Sequence, residues 1–422
     1  MTFKRTILPS GLRIITVPIA DAPTVTVLTM VETGSKYENK KTSGLSHFLE
    51  HMCFKGTTKR PTAKDISLEL DALGAQYNAF TSDEYTGYWA KAARDHVATL
   101  VDVVSDIYLN STFPAAEIEK EKGVIVEELN MYRDIPQRHV QELFMKVLYG
   151  DQPAGWSIVG TKETVRSFTQ NDFVRYHGEH YVAKATTVIV AGGFSERQVL
   201  GQLKKVFNGM SRAKKSTKLP VKEMQKAPAV LVERRPTDQS HIVIGVRAYK
   251  AGHKHQIATE MLAAILGSGM SSRLFQRLRE EMGIGYYVRA GYDAMTDHGI
   301  LAVSLGCDVK RVDEAIGAIL AEFTRLKDEL VSAEELAKTK QHVAGGMLLD
   351  LETSDRIAEF YAHQEILRRP LLKPQQIIEK VHKVTAAEIR RVANDLFVDA
   401  KLNFAGVGPL AEDRVLKDRF HF

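Results

Sequence analysis

Val25-Thr26-Val27-Leu28-Thr29-Met30-Val31 is an alternating apolar segment, the pattern of a strand. A second such segment, His241-Ile242-Val243-Ile244-Gly245-Val246, opens the other half of the chain. Each runs into a helix-like segment, around His47 and around Met261. Each half also closes on a strand followed by glycine, Thr187-Val188-Ile189-Val190-Ala191-Gly192-Gly193 and Leu402-Asn403-Phe404-Ala405-Gly406. The chain reads as two copies of one mixed unit, with a period far too long for a solenoid. The polar, basic stretch 208–229, with Pro220 and Pro228, separates the copies. It has no aromatic interleaving and no apolar face, so it reads as a solvated linker rather than a binding patch. The expected division is 1–210, a linker at 211–229, and 230–422.

Within the first half, 65–73 reads as a helix with Ile66, Leu70 and Leu73 inward and Gly74 as its stop. Strand-like runs at 76–81 and 84–90 follow, then helices at 95–109 and 115–132. Strands and helices mix without strict alternation, which makes the class α+β: two similar halves, each a mixed sheet packed with helices.

At 422 residues the chain has room for two to four domains. Its 44% hydrophobic and 26% charged residues exclude a disordered or fibrous protein. No apolar run approaches the ~18 residues that span a bilayer, and no apolar stretch follows the basic start, so neither a membrane nor a secretory route is expected. Cys53 and Cys307 cannot build a disulfide framework, which fits a reducing compartment, the cytoplasm. A net charge of +5 over this length is too weak to argue for nucleic acid.

The chemistry concentrates in Gly44-Leu45-Ser46-His47-Phe48-Leu49-Glu50-His51-Met52. On a helix His47 and His51 share a face one turn apart and can bind one metal ion. Glu50 points toward the same face. The order is H-x-x-E-H, the inverse of H-E-x-x-H. A catalytic zinc site needs a third protein ligand, and the richest carboxylate source is 117–129. Glu121 and Glu128, seven residues apart, fall on one helical stripe, while Glu127 points about 100° away from Glu128. On spacing alone this segment would be a solvated acidic face.

The chain resembles the pitrilysin family of peptidases, also called M16, in its smaller class with mitochondrial processing peptidase and bacterial relatives. The resemblance rests on His47-Phe48-Leu49-Glu50-His51-Met52-Cys53-Phe54-Lys55-Gly56-Thr57, on 121–128, on Asn78-Ala79-Phe80-Thr81, on Gly160-Thr161-Lys162-Glu163 and, in the second half, on 273–280 with Gly285-Tyr286. It implies halves that face each other across a chamber. It also implies Zn²⁺ held by His47, His51 and Glu128, with Glu121 as a supporting acid and Glu50 as the general base toward a zinc-activated water. Arg279 and Tyr286 match a pair that binds the substrate backbone and steadies the tetrahedral intermediate. The strand around Asn78, Ala79 and Phe80 is expected to receive a peptide as an added strand.

The expected activity is therefore that of a zinc endopeptidase acting on peptides or small unfolded proteins. The alternatives are a non-catalytic or partner subunit of a larger processing assembly and a metal-dependent peptide-binding module. Because one chain carries both residue sets, a homodimer is expected over a heterodimer. Cys53 reads as a packing residue. His177 and His180 form a rival pair without a separate third partner.

Overall fold

The computed structural model describes residues 2–411 and 420–422. Packing divides the chain into two units, each assembled from separated stretches. The first comprises Met1–Asn130, Ser157–Leu219 and Leu349–Lys373; the second comprises Met131–Trp156, Pro220–Leu348 and Pro374–Phe422.

The first unit contains β1 (Lys4–Ile7), β2 (Arg13–Pro18), β3 (Thr24–Val31), β4 (Gln76–Thr81), β5 (Thr86–Ala93) and β6 (Thr186–Gly192), in the spatial order β1-β2-β6-β3-β5-β4. The second contains β7 (Ala229–Arg234), β8 (Gln239–Ala248), β9 (Gly285–Ala294), β10 (Gly299–Asp308) and β11 (Leu402–Gly408), in the order β7-β11-β8-β10-β9. With β1 set aside, the two sheets have the same order and the same directions. The first and last strands of each copy pair in parallel, β2 with β6 and β7 with β11, and every other pair is antiparallel. The α+β class and the duplication read from the sequence are both present.

All seven residues of 25–31 are buried. The helix Val97–Leu109 packs on β3 and β5, and the helix Ser354–Ile366 packs on β3 and β6. The threonines therefore meet protein rather than water: the Thr24 and Thr26 hydroxyls lie 3.1 and 2.8 Å from Ser354 Oγ, and Lys91 donates to Asp355 at 2.6 Å. The second sheet repeats the arrangement. Ile242, Ile244 and Val246 join one core, while Val243, Ala405 and Val407 pack with Val140 and Phe144 of the helix Pro136–Tyr149. The packed units differ from the halves 1–210 and 230–422 by an exchange of helical segments, Met131–Trp156 packing with the second sheet and Leu349–Lys373 with the first.

The linker is not merely solvated. Lys215 Nζ lies 2.6 Å from Glu32 Oε2 and Lys218 Nζ lies 3.0 Å from Glu84 Oε1, and both acids are buried. Its basic residues neutralise carboxylates that burial would otherwise penalise. Among the described residues no helix is long and apolar enough to cross a membrane.

Candidate metal centre

The H-x-x-E-H motif lies on the helix Leu45–Met52, in the crossover from β3 to β4. Leu45, Phe48, Leu49 and Met52 are buried, which leaves His47, Glu50 and His51 on the remaining face. Gly44 precedes the helix at φ +92°, and a Cβ there would sit 2.4 Å from the Val159 carbonyl oxygen, so only glycine fits. The helix start is capped by Glu38, whose Oε2 accepts from Gly44 N at 2.7 Å and Oε1 from Ser46 N at 2.6 Å. Nothing local in the sequence signals this cap, because Glu38 lies a full loop ahead of the helix.

Burial pushes the Glu38 carboxyl up to about 8, against the opposing pull of the Ser46 and Gly44 donors. A free glutamate titrates near ~4.3. The stability supplied by neutral Glu38 is thus complete below about 4.3 and lost as pH rises through 8. Between roughly pH 5 and 9 the wild type should lose stability faster than Glu38→Gln in urea melts. Parallel profiles would show that Glu38 does not titrate there.

The partner helix, Ala115–Asp134, buries Ile118 and Ile125 and turns Glu121 and Glu128 toward the motif. His47 Nε2 lies 3.7 Å from Glu128 Oε1, and His51 Nε2 lies 3.6 Å from Glu128 Oε2. One ligand atom from each of the three residues falls within 4.8 Å of the others. Zinc bonds of ~2.0–2.1 Å in a tetrahedron put ligand atoms about 3.3 Å apart, and the two histidine–Glu128 separations of 3.7 and 3.6 Å are close to that. Glu127 is exposed and contacts Asn130 at 3.5 Å, away from this group. His51 Nδ1 is held 2.9 Å from Glu121 Oε1, which leaves Nε2 to face the metal position. Glu121 Oε2 in turn pairs with Lys55 at 2.6 Å, a contact the sequence did not foretell.

Burial and the neighbouring His51 hold the His47 imidazole down at about 4, so it is neutral and ready to ligate. Burial would also lower His51, but Glu121, Glu50 and Glu128 outweigh it and raise the group. Glu50 stands outside the three-ligand group. Burial raises its carboxyl, while Thr81 Oγ1 donates to Oε2 at 2.5 Å and opposes the rise. Thr81 ends β4, so the bond ties the motif helix to the edge strand. Burial would raise Glu121 as well, yet His51 and Lys55 hold it low.

Residues 13–162 match the family model described as Insulinase (Peptidase family M16), and 167–343 match the one described as Peptidase M16 inactive domain. An uncharacterized zinc protease of Bacillus subtilis is 32% identical over 396 residues, covering 94% of this chain and 96% of that protein. The chain belongs to peptidase family M16. An M16 relative in Rickettsia felis, also named an uncharacterized zinc protease, is 31% identical over 397 residues, covering 92% of this chain and 94% of its own. In fold, this M16 chain matches a crystallised protease from Helicobacter pylori with a TM-score of 0.90 at 21% identity, covering 97% and 99% of the two chains. A structure from Pseudomonas fluorescens, titled a peptidase M16 inactive domain, matches at 0.89 with 16% identity, covering 97% and 98%. All five candidate metal-centre residues, His47, Glu50, His51, Glu121 and Glu128, fall inside the first M16 span, and the span described as inactive carries no H-x-x-E-H.

The remaining sequence candidates of this M16 chain have plain positions. Asn78, Ala79 and Phe80 lie on β4, an edge strand that pairs with β5 alone among the described residues. The Phe80 ring lies across Gly87, where a Cβ would come 2.4 Å from the ring. In the second unit, Arg279 sits on a π-helical turn, Phe275–Glu281, just ahead of the edge strand β9 that carries Tyr286. Arg279 Nη1 donates to the Tyr286 backbone carbonyl at 3.1 Å, and Tyr286 is 61% exposed. Cys53 is buried near Tyr88, with its thiol pushed up to about 12 by burial, which suits packing and not ligation. His177 bonds the Tyr108 carbonyl at 2.8 Å and His180 the Thr33 hydroxyl at 3.1 Å, so the rival pair serves the core.

Proposed function

We propose that the chain is a zinc-dependent endopeptidase acting on peptides or small unfolded proteins. The observation that carries this reading is the convergence of His47, His51 and Glu128 beside a separate carboxylate, Glu50. When bound, zinc supplies Lewis acidity, lowering the pKa of a water toward ~7 and polarising the scissile carbonyl. His47, His51 and Glu128 hold the ion, and Glu121 fixes the tautomer of His51. Glu50 takes a proton from the attacking water and delivers it to the leaving amine, oriented by Thr81. The free edge of β4 offers backbone pairing to an extended peptide with little sequence demand.

Arg279 and Tyr286 supply donors for substrate carbonyls. Arg279→Ala and Tyr286→Phe should keep zinc and fold yet slow turnover by roughly 10²–10³-fold. Normal rates in both variants would make the second unit scaffold only.

The deciding experiment is metal analysis with peptide cleavage. About one zinc per chain is expected, lost in Glu128→Gln and kept in Glu127→Gln. Cleavage of a peptide mixture should stop with a chelator and return with zinc. Equal zinc loss in both variants, or chelator-insensitive cleavage, would sink the assignment. A non-catalytic subunit is the second reading, drawn from the name of the model that matches 167–343. Against it stands the full set of motif residues in the first span. One chain holding both residue sets supports a homodimer, to be read as a two-chain mass by light scattering. Two buried free cysteines support a reducing cytoplasm.

A further inference from the structure

We propose that a basic pocket in the first unit, at Arg13 and Arg369, binds a tetrahedral oxyanion: a phosphate group, free or carried by a compact metabolite. The cavity, of about 570 Å³, is lined by Arg5, Arg13, Lys215, Arg368 and Arg369 against two carboxylates, Glu32 and Glu365. Both acids are already engaged. Glu365 takes the fork of Arg5 at 2.8 and 2.7 Å. Glu32 takes Arg13 at 2.7 Å, Lys215 at 2.6 Å and Arg368 at 3.3 Å. Three positive charges remain uncompensated within the pocket.

Two donors there also lack acceptors. Arg13 Nη2 and Arg369 Nε are buried and make no hydrogen bond in the structure, and Glu32 Oε1, 2.7 Å from Arg13 Nη1, makes none either. A guanidinium cannot shed its proton to escape this, so an anion that supplies oxygens is the chemical remedy. The cations come from separate chain segments: β1, the start of β2, the linker, and the turn after the helix Ser354–Ile366, where Arg368 adopts φ +56°. Three of these cations already meet at Glu32, so an added oxyanion with several oxygens would share them with that carboxylate and draw chiefly on Arg369 and the free guanidinium edges. Phe3 and Leu371 are the sole apolar lining, which leaves little for an aromatic base to stack on. None of these residues belongs to the metal centre.

The test uses the zinc-loaded full chain at constant ionic strength, titrated by calorimetry and thermal melting with inorganic phosphate, ribose 5-phosphate, succinate and sodium chloride. Saturable binding and a rise in Tm are expected with the phosphates only. Tighter binding of ribose 5-phosphate would identify a metabolite as the source, and equal binding would identify free phosphate. Arg369→Gln should weaken binding at least about tenfold, the weight of one charge-assisted hydrogen bond, with zinc content unchanged. Arg368→Gln, at an exposed position, repeats the test should Arg369→Gln fold poorly. No saturable phosphate binding, equal binding of succinate, or undiminished binding in the folded variants would overturn the proposal.

Discussion

Glu50→Gln is expected to lower kcat for peptide hydrolysis by about 10²–10⁴-fold while zinc stays at its wild-type level. The three ligand atoms meet without Glu50, so the ion does not depend on it. Glutamine keeps the size of the side chain and an oxygen for Thr81, so the tie between helix and edge strand survives. What disappears is a basic oxygen in a buried place, where burial raises the proton affinity of a carboxylate. Affinity for an uncleaved peptide should change little, because pairing along β4 uses backbone. Loss of zinc in the variant would make Glu50 structural. Full activity would require another base, and Glu121 is poorly suited, being engaged by both His51 and Lys55.

Arg60→Met should cost about 3–5 kcal/mol of stability in urea unfolding, the range for breaking a buried ion network from one side. Arg60 is 3% exposed, in the loop that leaves the motif helix. Its guanidinium reaches Glu69 at 2.7 and 2.8 Å, Asp102 at 2.6 Å and Asp106 at 2.8 Å. These acids lie on the helices Ala63–Asp71 and Val97–Leu109, so one side chain pins the loop to both. Asp106 is buried too, and the neutral donors Thr57 and Asn110 would not cancel its charge. Adding Asp106→Asn to Arg60→Met should recover part of the loss, since the stranded charge is then gone. A cost below about 1 kcal/mol would mean that solvent screens the network.

What was legible in the sequence is what local periodicity encodes. His47 and His51 are neighbours because a helix has 3.6 residues per turn, and the same period puts Glu121 and Glu128 on one stripe; that this stripe faces the histidines was implied by the family resemblance alone. The duplication was visible in paired strand patterns, and the two sheets repeat one order. What stayed hidden depends on residues far apart along the chain. The second covered face of β3 is made by 354–366, and no pattern in 25–31 can announce it. Glu38 caps a helix from a loop, and Lys215 and Lys218 answer buried acids more than a hundred residues away; in a sequence they look like surface charge. Lys55 sits inside the quoted motif, yet its pairing with Glu121 depends on how two helices meet.

The exchange of helical segments has a consequence for synthesis. A growing chain has made all six strands of the first sheet by residue 192, but the helix that covers β3 and β6 begins at Ser354. At about 5–20 residues per second, the ribosome needs on the order of 10 s to bridge that gap. Throughout it, one side of a finished sheet waits without the helix that covers it, exposed to other nascent chains. A chain stopped at residue 229 would never receive its cover, and should go into inclusion bodies unless Leu349–Lys373 is supplied alongside it as a separate peptide.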